Sequence, residues 1–182
     1  CSTLPWSLQF RAGVRATGTC GEATVVVHGD RVSVDDATFV NSAFGHGNEI
    51  DDASVRTPSH GGSTVVPAVL AVAERLHAPG ARVLEATIAG YETLMRVSYA
   101  TGTHLRHRGH HSPTALGPFG AAAAVAHLLG LDAAATLNAL GIAGSHSAGL
   151  AQYTRGGGSV KRIHCAIAAM SGVRAAYLAA NG

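Results

Sequence analysis

"ALGPFGAAAAVAHLLGLDAAATLNALGIAG", residues 115–144, contains the most apolar stretch of the chain, Ala121 to Gly144, and alanine is its commonest residue. It reads as two helices, 115–129 and 133–144, split at Gly130-Leu131-Asp132, with Asp132 placed to cap the second. Helices this poor in large side chains have little ring surface to bury. They gain packing by close approach through small residues. His127, Asp132 and Asn138 interrupt the run, and no stretch reaches the roughly 18 apolar residues that a membrane span needs.

Working outward, the same period recurs. Val66, Val69, Leu70, Ala73 and Leu76 take the three-four spacing of a buried helical face, with Pro67 expected in the first turn and Pro79-Gly80 as the stop. Leu84, Ile88, Tyr91, Met95 and Ser98 or Tyr99 continue it in a helix that Gly102 closes. Residues 161–180 give a last helix. Nearer the start, 23–27 and 31–34 read as a small hairpin turning at 28–30, and Asp35 and Asp36 offer an N-cap to a helix reaching about Phe44. "THLRHRGHHSPT" (103–114) reads as a loop and "YTRGGGSV" (153–160) as irregular. The fold class expected is all-α, a bundle-like helical domain with one small hairpin.

With 182 residues, 47% of them hydrophobic, one domain with a real core is the expectation. A net charge of +2 and the lack of basic runs interleaved with aromatics argue against nucleic acid as a partner. Cys1, Cys20 and Cys165 have no CxxC spacing, which argues against a disulfide framework and a structural zinc site and fits a reducing, cytoplasmic location. The chain opens on Cys1 rather than methionine, so its N-terminus is read as processed or cut.

Three polar segments interrupt the apolar frame. Residues 45–60 ("GHGNEIDDASVRTPSH") bring Glu49, Asp51 and Asp52 between His46 and His60; residues 104–111 bring four histidines; residues 156–164 bring Lys161, Arg162 and His164. Lys161 is the sole lysine against twelve arginines, and it follows a glycine run at a helix start, a favourable place for anions. An imidazole titrates near neutrality, so any of the loop histidines turned into a cleft could move protons; spacing alone does not choose among His104, His107, His110 and His111. Solvated surface histidines and a purely structural His60 fit the same residues. "GHGNEI" lacks the third glycine of a dinucleotide fingerprint, "SHSAG" is one residue short of a nucleophile elbow, and HExxH is absent.

"GHGNEIDDASVRTPSHGGSTVVPAVLAVAE", "RGHHSPTALGPFGAAAAVAHLLGL", "ALGIAGSHSAGL" and "SVKRIHCAIAAMSGVRAAYLAANG", in that order, resemble the helical domain of the MmgE/PrpD family, which includes 2-methylcitrate dehydratase, cis-aconitate decarboxylase and iminodisuccinate epimerase. The resemblance runs from about Gly21 to Gly182. It departs from the family pattern at Glu49, Ala53 and Gly61, where aspartate, threonine and proline are usual. It implies one helical domain over 1–182 without the family's N-terminal helices and C-terminal lid domain, either as a fragment or as a naturally short relative whose missing parts come from another chain.

What the resemblance implies about function is a cofactor-independent, metal-free lyase or isomerase acting on small polycarboxylates, with 2-methylcitrate dehydration first and decarboxylation or epimerisation as alternatives. It implies His111 as acid or base, Lys161 and His60 as carboxylate clamp, and Glu49 and Asp52 as the shell that orients them. His46, Asp51, Arg162 and His164 complete the substrate-binding set, and a homodimer is expected. Two other readings stay open: a divalent-metal hydrolase using His46, Asp51, Asp52 and His60, and a non-catalytic helical core that self-associates.

Overall fold

The computed structural model describes residues 2–16, 21–57 and 59–182. Cys1 and Cys20 lie outside the described residues, so the reading of the three cysteines rests here on Cys165 alone, a free, buried thiol. The elements run α1 (Pro5–Ala16), β1 (Ala23–Val25), β2 (Asp30–Val32), α2 (Val34–His46), α3 (Gly61–Leu76), α4 (Gly80–Thr101), α5 (His104–His107), α6 (Ser112–Leu129), α7 (Ala133–Ser145), α8 (Tyr153–Gly156) and, after a 3-10 turn at Ser159–Ile163, α9 (His164–Ala180). The chain is mostly helical, with one two-stranded antiparallel sheet among the described residues.

α6 is apolar on every side and buried along almost its whole length, which makes it the axis of the packing. It touches α3, α4, α7 and α9. Small residues set the distances. A Cβ added at Gly172 would lie 2.4 Å from Ala121 Cβ and 2.7 Å from the Pro118 carbonyl; one at Gly117 would lie 2.8 Å from Ala168 Cβ. These pairs advance together along the sequence, so α6 and α9 run parallel. The Gly90 contact with Ala124 and the Gly120 contact with Leu94 advance in opposite directions, so α4 is antiparallel to α6.

Several local expectations are corrected. α3 starts at Gly61, which puts Pro67 well inside the helix rather than in its first turn. A proline there leaves the carbonyl four residues back without its N–H. That carbonyl, on Ser63, accepts the Ser42 hydroxyl of α2 instead. The cap of α2 is Ser33, not Asp35 or Asp36: its Oγ accepts the Asp36 N–H at 3.1 Å and donates to the Asp36 carboxylate at 2.7 Å. β1 ends at Val25 because Val27 takes φ +75°, so the turn begins earlier than the β-branched run suggests. His104–His107 and Tyr153–Gly156 each form one helical turn rather than loop, and the twelve-residue helix α1 carries no expectation from sequence. Asp132 caps α7 as expected, accepting from Ala135 N at 2.8 Å.

The face of α4 follows the expectation in part: Ser98 is buried and Tyr91 and Met95 pack against the core, but the rest of the face is shifted. Leu84, Ile88 and Tyr99 are 66%, 68% and 74% exposed, while Ala86, Gly90, Leu94 and Ser98 face the core. Close packing on α6 selects Ala86 and Gly90, and Leu94 fits because Gly120 of α6 lies opposite it. Ser159–Ala180 is long and apolar enough to cross a membrane by length and composition, contrary to the sequence expectation, but most of it is buried against the other helices.

The same contacts fix the cost of adding one methyl group. Gly172→Ala is expected to destabilise by about 1–3 kcal/mol, the overpacking range, since Ala121 and Pro118 leave it no room. Gly141→Ala, on α7 with nothing within 4 Å, is expected to stabilise by about 0.4–1 kcal/mol. Chemical denaturation of both variants checks the pair; a neutral Gly172→Ala would mean that α6 and α9 do not pack at this distance.

Candidate active site

The parallel packing of α6 and α9 brings their starts together, and α3 begins beside them. His111 is the N-cap of α6, His164 the first residue of α9, and His60 the N-cap of α3. His46, the last residue of α2, completes the group. The ring centroids step from His60 to His46 at 5.4 Å, His46 to His111 at 6.0 Å and His111 to His164 at 5.0 Å. Tyr153 closes the far side, 5.3 Å from His111 and 5.5 Å from His164.

These four imidazoles do not share one charge state. His46 is fully buried, with Nδ1 donating to Asp51 at 2.8 Å. Burial works against its charge, but the hydrogen bond to Asp51 and the charge of that carboxylate, with a smaller contribution from the neighbouring Cys165, outweigh it, and the pKa rises from 6.5 to about 10. Burial likewise works to raise Asp51, yet hydrogen bonds from His46 and Ser63 and the nearby imidazoles hold it below its usual range. His111 goes the other way: burial, then the charges of His164, His46, Lys161 and His60, push it down to about 3. His164 is lowered by burial and by His46 and Lys161. Helix ends act in the same sense, since His46 sits at a C-terminus, which favours a cation, and the other three at N-termini, which do not.

The hydrogen bonds assign protons. His60 Nδ1 lies 2.8 Å from the Asp52 carbonyl, an acceptor only, so Nδ1 carries the hydrogen and Nε2 is left to exchange one. His111 Nδ1 meets both Thr114 Oγ1 at 2.8 Å and His164 Nδ1 at 3.0 Å; of the two imidazoles one donates and the other accepts.

A cavity of about 540 Å³ opens over this floor. His60, His111, Tyr153 and Lys161 line it, together with Arg106, Arg108 and Arg155. Its two walls are tied to each other: Ala151 N donates to the Gly109 carbonyl at 2.7 Å and His111 N to the Gly149 carbonyl at 2.8 Å. Gly149 has φ +89°, and a Cβ there would lie 2.5 Å from Thr114 Cβ, so this crossing requires glycine.

The carboxylates take different places from those expected. Glu49 does orient a cation, accepting from the Lys161 ammonium, but from a backbone at φ +58°. Asp52 orients no imidazole through its carboxylate; it accepts from Gly62 N at 2.7 Å and the Tyr91 hydroxyl at 3.1 Å, holding the start of α3. Asp51 and His46 lie beneath the cavity rather than on its wall, and His164 stands behind His111. Arg162 does not line the cavity; its guanidinium stacks 5.2 Å from the Trp6 ring centroid.

Atoms of His46, Asp51 and His60 come within 4.8 Å of one another and could hold an ion. Both Nδ1 atoms are engaged by acceptors, however, and Asp52 is committed elsewhere, so the four-ligand set of the hydrolase reading does not assemble. Sequence reasoning missed Tyr153, Arg106, Arg108 and Arg155. Arg106 and Arg108 stood in plain view between the loop histidines, and Arg155 in the segment read as irregular; their only signal was the density of basic residues there.

The MmgE/PrpD N-terminal domain family matches over residues 1–182, and the chain belongs to that family. It is 36% identical over 191 residues to the cis-aconitate decarboxylase-like protein oryM of Aspergillus oryzae, covering 100% of this chain and 39% of the relative. It is 34% identical to the cis-aconitate decarboxylase of Aspergillus terreus (98% of this chain, 38% of the relative) and 32% identical to that of Homo sapiens (80% and 31%). The relatives are lyases, and the chain spans less than two-fifths of their length.

The charge pattern has a pH signature. His46, raised, contributes stability that is complete below 6.5 and lost as the pH climbs through about 10. His111 and His164, lowered, cost nothing above 6.5 and an increasing amount as the pH falls below it. Asp51 adds to the acid-side loss, since its lowered pKa gives stability that disappears as it protonates. Stability should therefore fall on both sides of neutrality. Imidazole NMR titration should find His46 still protonated at pH 8 and His111 still neutral at pH 5, with Asp51→Asn bringing the His46 titration down. If His46 and His111 titrated together near 6.5, this partition would be wrong.

Proposed function

We propose that the chain forms the substrate-cradling helical part of a cofactor-independent lyase, and that its reaction is decarboxylation of a cis-aconitate-like polycarboxylate. One observation carries the reading: the cavity is lined by four basic side chains, Lys161, Arg106, Arg108 and Arg155, and among the described residues by no carboxylate. Three helix N-termini converge beneath it and add positive potential. Such a place favours small polyanions. The names of the relatives support the decarboxylase branch over the 2-methylcitrate dehydration that the sequence resemblance puts first.

Decarboxylation breaks the bond between a carboxylate carbon and its neighbour; carbon dioxide leaves, and the electron pair stays on the neighbouring carbon, which then takes a proton. The enzyme must hold the remaining carboxylates, stabilise the negative charge as it develops, and deliver that proton. Lys161 and the helix ends supply the charge. His60 suits the proton transfer, since its Nε2 is free and it lines the cavity. His111, the acid or base expected from the resemblance, suits hydrogen bonding better: with a pKa near 3 it is a weak base and is almost never protonated at pH 7. Asp51 then acts from below by holding the charge on His46, which adds to burial in keeping His111 and His164 neutral.

Lys161→Ala should weaken binding of cis-aconitate by about 1.5–3 kcal/mol, the range for a hydrogen bond to a charged group, with little change in folding. Lys161→Arg should rescue poorly, because a planar fork does not replace a compact ammonium. Calorimetric titration measures both. Parent-like binding by the alanine variant would remove Lys161 from the site and the reading with it.

A further inference from the structure

Seven of the twelve arginines have an acidic partner: Arg11, Arg15, Arg31, Arg75, Arg82, Arg96 and Arg174. Arg162 lies on Trp6. Of the four that remain, three line the one cavity, Arg106 on α5, Arg108 just after it and Arg155 on α8. Among the described residues none of the three has a carboxylate within ion-pair distance. A protein that pairs most of its guanidiniums elsewhere has here gathered three unpaired ones around a single opening, where their mutual repulsion costs free energy until an anion arrives.

Exposure divides the cavity into two zones. His111 is 8% exposed, and the Lys161 and His60 side chains are 24% exposed, so these groups form the floor. The three arginines are exposed and form the rim. The floor cation is already matched, because the Lys161 ammonium donates to Glu49. The rim cations are not. The rim is also held in shape: the crossing of Gly109 to His111 with Gly149 to Ala151 fixes α5 and the segment leading into α8 against each other. Its charge reaches the floor, since Arg106 is among the groups that lower Tyr153 against the burial that raises it.

We infer that Arg106, Arg108 and Arg155 form an outer carboxylate subsite that selects ligands with a third carboxylate beyond the two held at the floor, and so set preference for tricarboxylates over dicarboxylates. This rests on the polycarboxylate reading above. A guanidinium presents two parallel N–H donors to a carboxylate, so a pair of them at a rim can grip an end group that extends past the reacting carbon. That group takes no part in bond breaking. Its binding energy fixes the orientation of the carbon that does react.

The test compares tricarballylate, an unreactive tricarboxylate, with glutarate, a dicarboxylate, by calorimetric titration of the parent, of Arg106→Gln, Arg108→Gln and Arg155→Gln, of the triple variant and of Lys161→Ala. The parent should bind tricarballylate more tightly than glutarate. Each glutamine variant should lose roughly three- to tenfold in tricarballylate affinity, the range for partly exposed charge-assisted contacts, with glutarate nearly unchanged. The triple variant should bind the two alike. Lys161→Ala should weaken both. If the triple variant kept the parent's ratio while Lys161→Ala still weakened both ligands, the outer subsite would be overturned and the polycarboxylate reading would stand. If the parent bound neither ligand, both would fall. A loss of glutarate equal to the loss of tricarballylate would mean that the arginines act as a general field and would also overturn the subsite. Circular dichroism confirms that each variant is folded.

Discussion

The close, parallel approach of α6 and α9 is the constraint on which the site depends. Ala121 faces Gly172, and Gly117 faces Ala168, so two helix backbones lie nearly in contact and in register. Were α9 antiparallel, its start would lie at the opposite end of the bundle and His164 could not meet His111. Because the register is fixed by small residues with no rotamers to adjust, it transmits to the helix starts with little slack. α3 joins them through Thr64, whose side chain meets Gly117, and so places His60 at the same end. The cluster of imidazoles is thus a consequence of core packing, set by residues that carry no chemistry themselves.

Packing also explains why His46 is held charged while His111 and His164 are pushed toward the neutral form. The same end of the bundle receives the C-terminus of α2 and the N-termini of α3, α6 and α9. A buried imidazole without a carboxylate loses its proton; one with Asp51 at 2.8 Å keeps it. Only one side chain of the acidic stretch at 49–52 takes that role. Glu49 turns to Lys161, and Asp52 fastens the first turn of α3 through Gly62 and Tyr91. Each of the three neighbouring carboxylates therefore has donors of its own to serve, which answers why so acidic a stretch occurs in a chain with only 13% charged residues.

Much of this was legible in the sequence, and the failures have physical causes. The period of the apolar residues located α3, α4, α6, α7 and α9, and the polar segments at 45–60, 104–111 and 156–164 do meet. On α4, Ser98, Tyr91 and Met95 fall on the packed side as read, but Leu84 and Ile88 were misplaced because hydrophobicity was taken as the guide to burial, whereas the close approach of α6 admits Gly90 and Ala86 there. Pro67 was misplaced because nothing local shows that Ser42, 21 residues away from Ser63, satisfies the carbonyl it frees. Charge states were out of reach for the same reason: His111 and His46 are alike as letters and differ only in whether Asp51 lies beside them.

The left-handed backbone at Glu49 gives the Lys161 contact a further meaning. A non-glycine residue at φ +58° is held there by its surroundings at some cost, and such strain persists where the structure around it fixes the geometry. Here the segment leaving α2 must reverse after Gly47 to bring Asp51 back under His46, and Glu49 lies on that reversal. The turn that delivers the buried ion pair therefore also delivers the carboxylate that meets Lys161. A half-exposed carboxylate on an ammonium contributes little to stability because solvent screens it. It does hold the ammonium over the floor, with its Nζ 5.6 Å from the Tyr153 ring centroid. A ligand carboxylate that arrives at this point meets a cation already in position and needs only to share it or displace a weakly held partner, which costs less than ordering a free lysine chain.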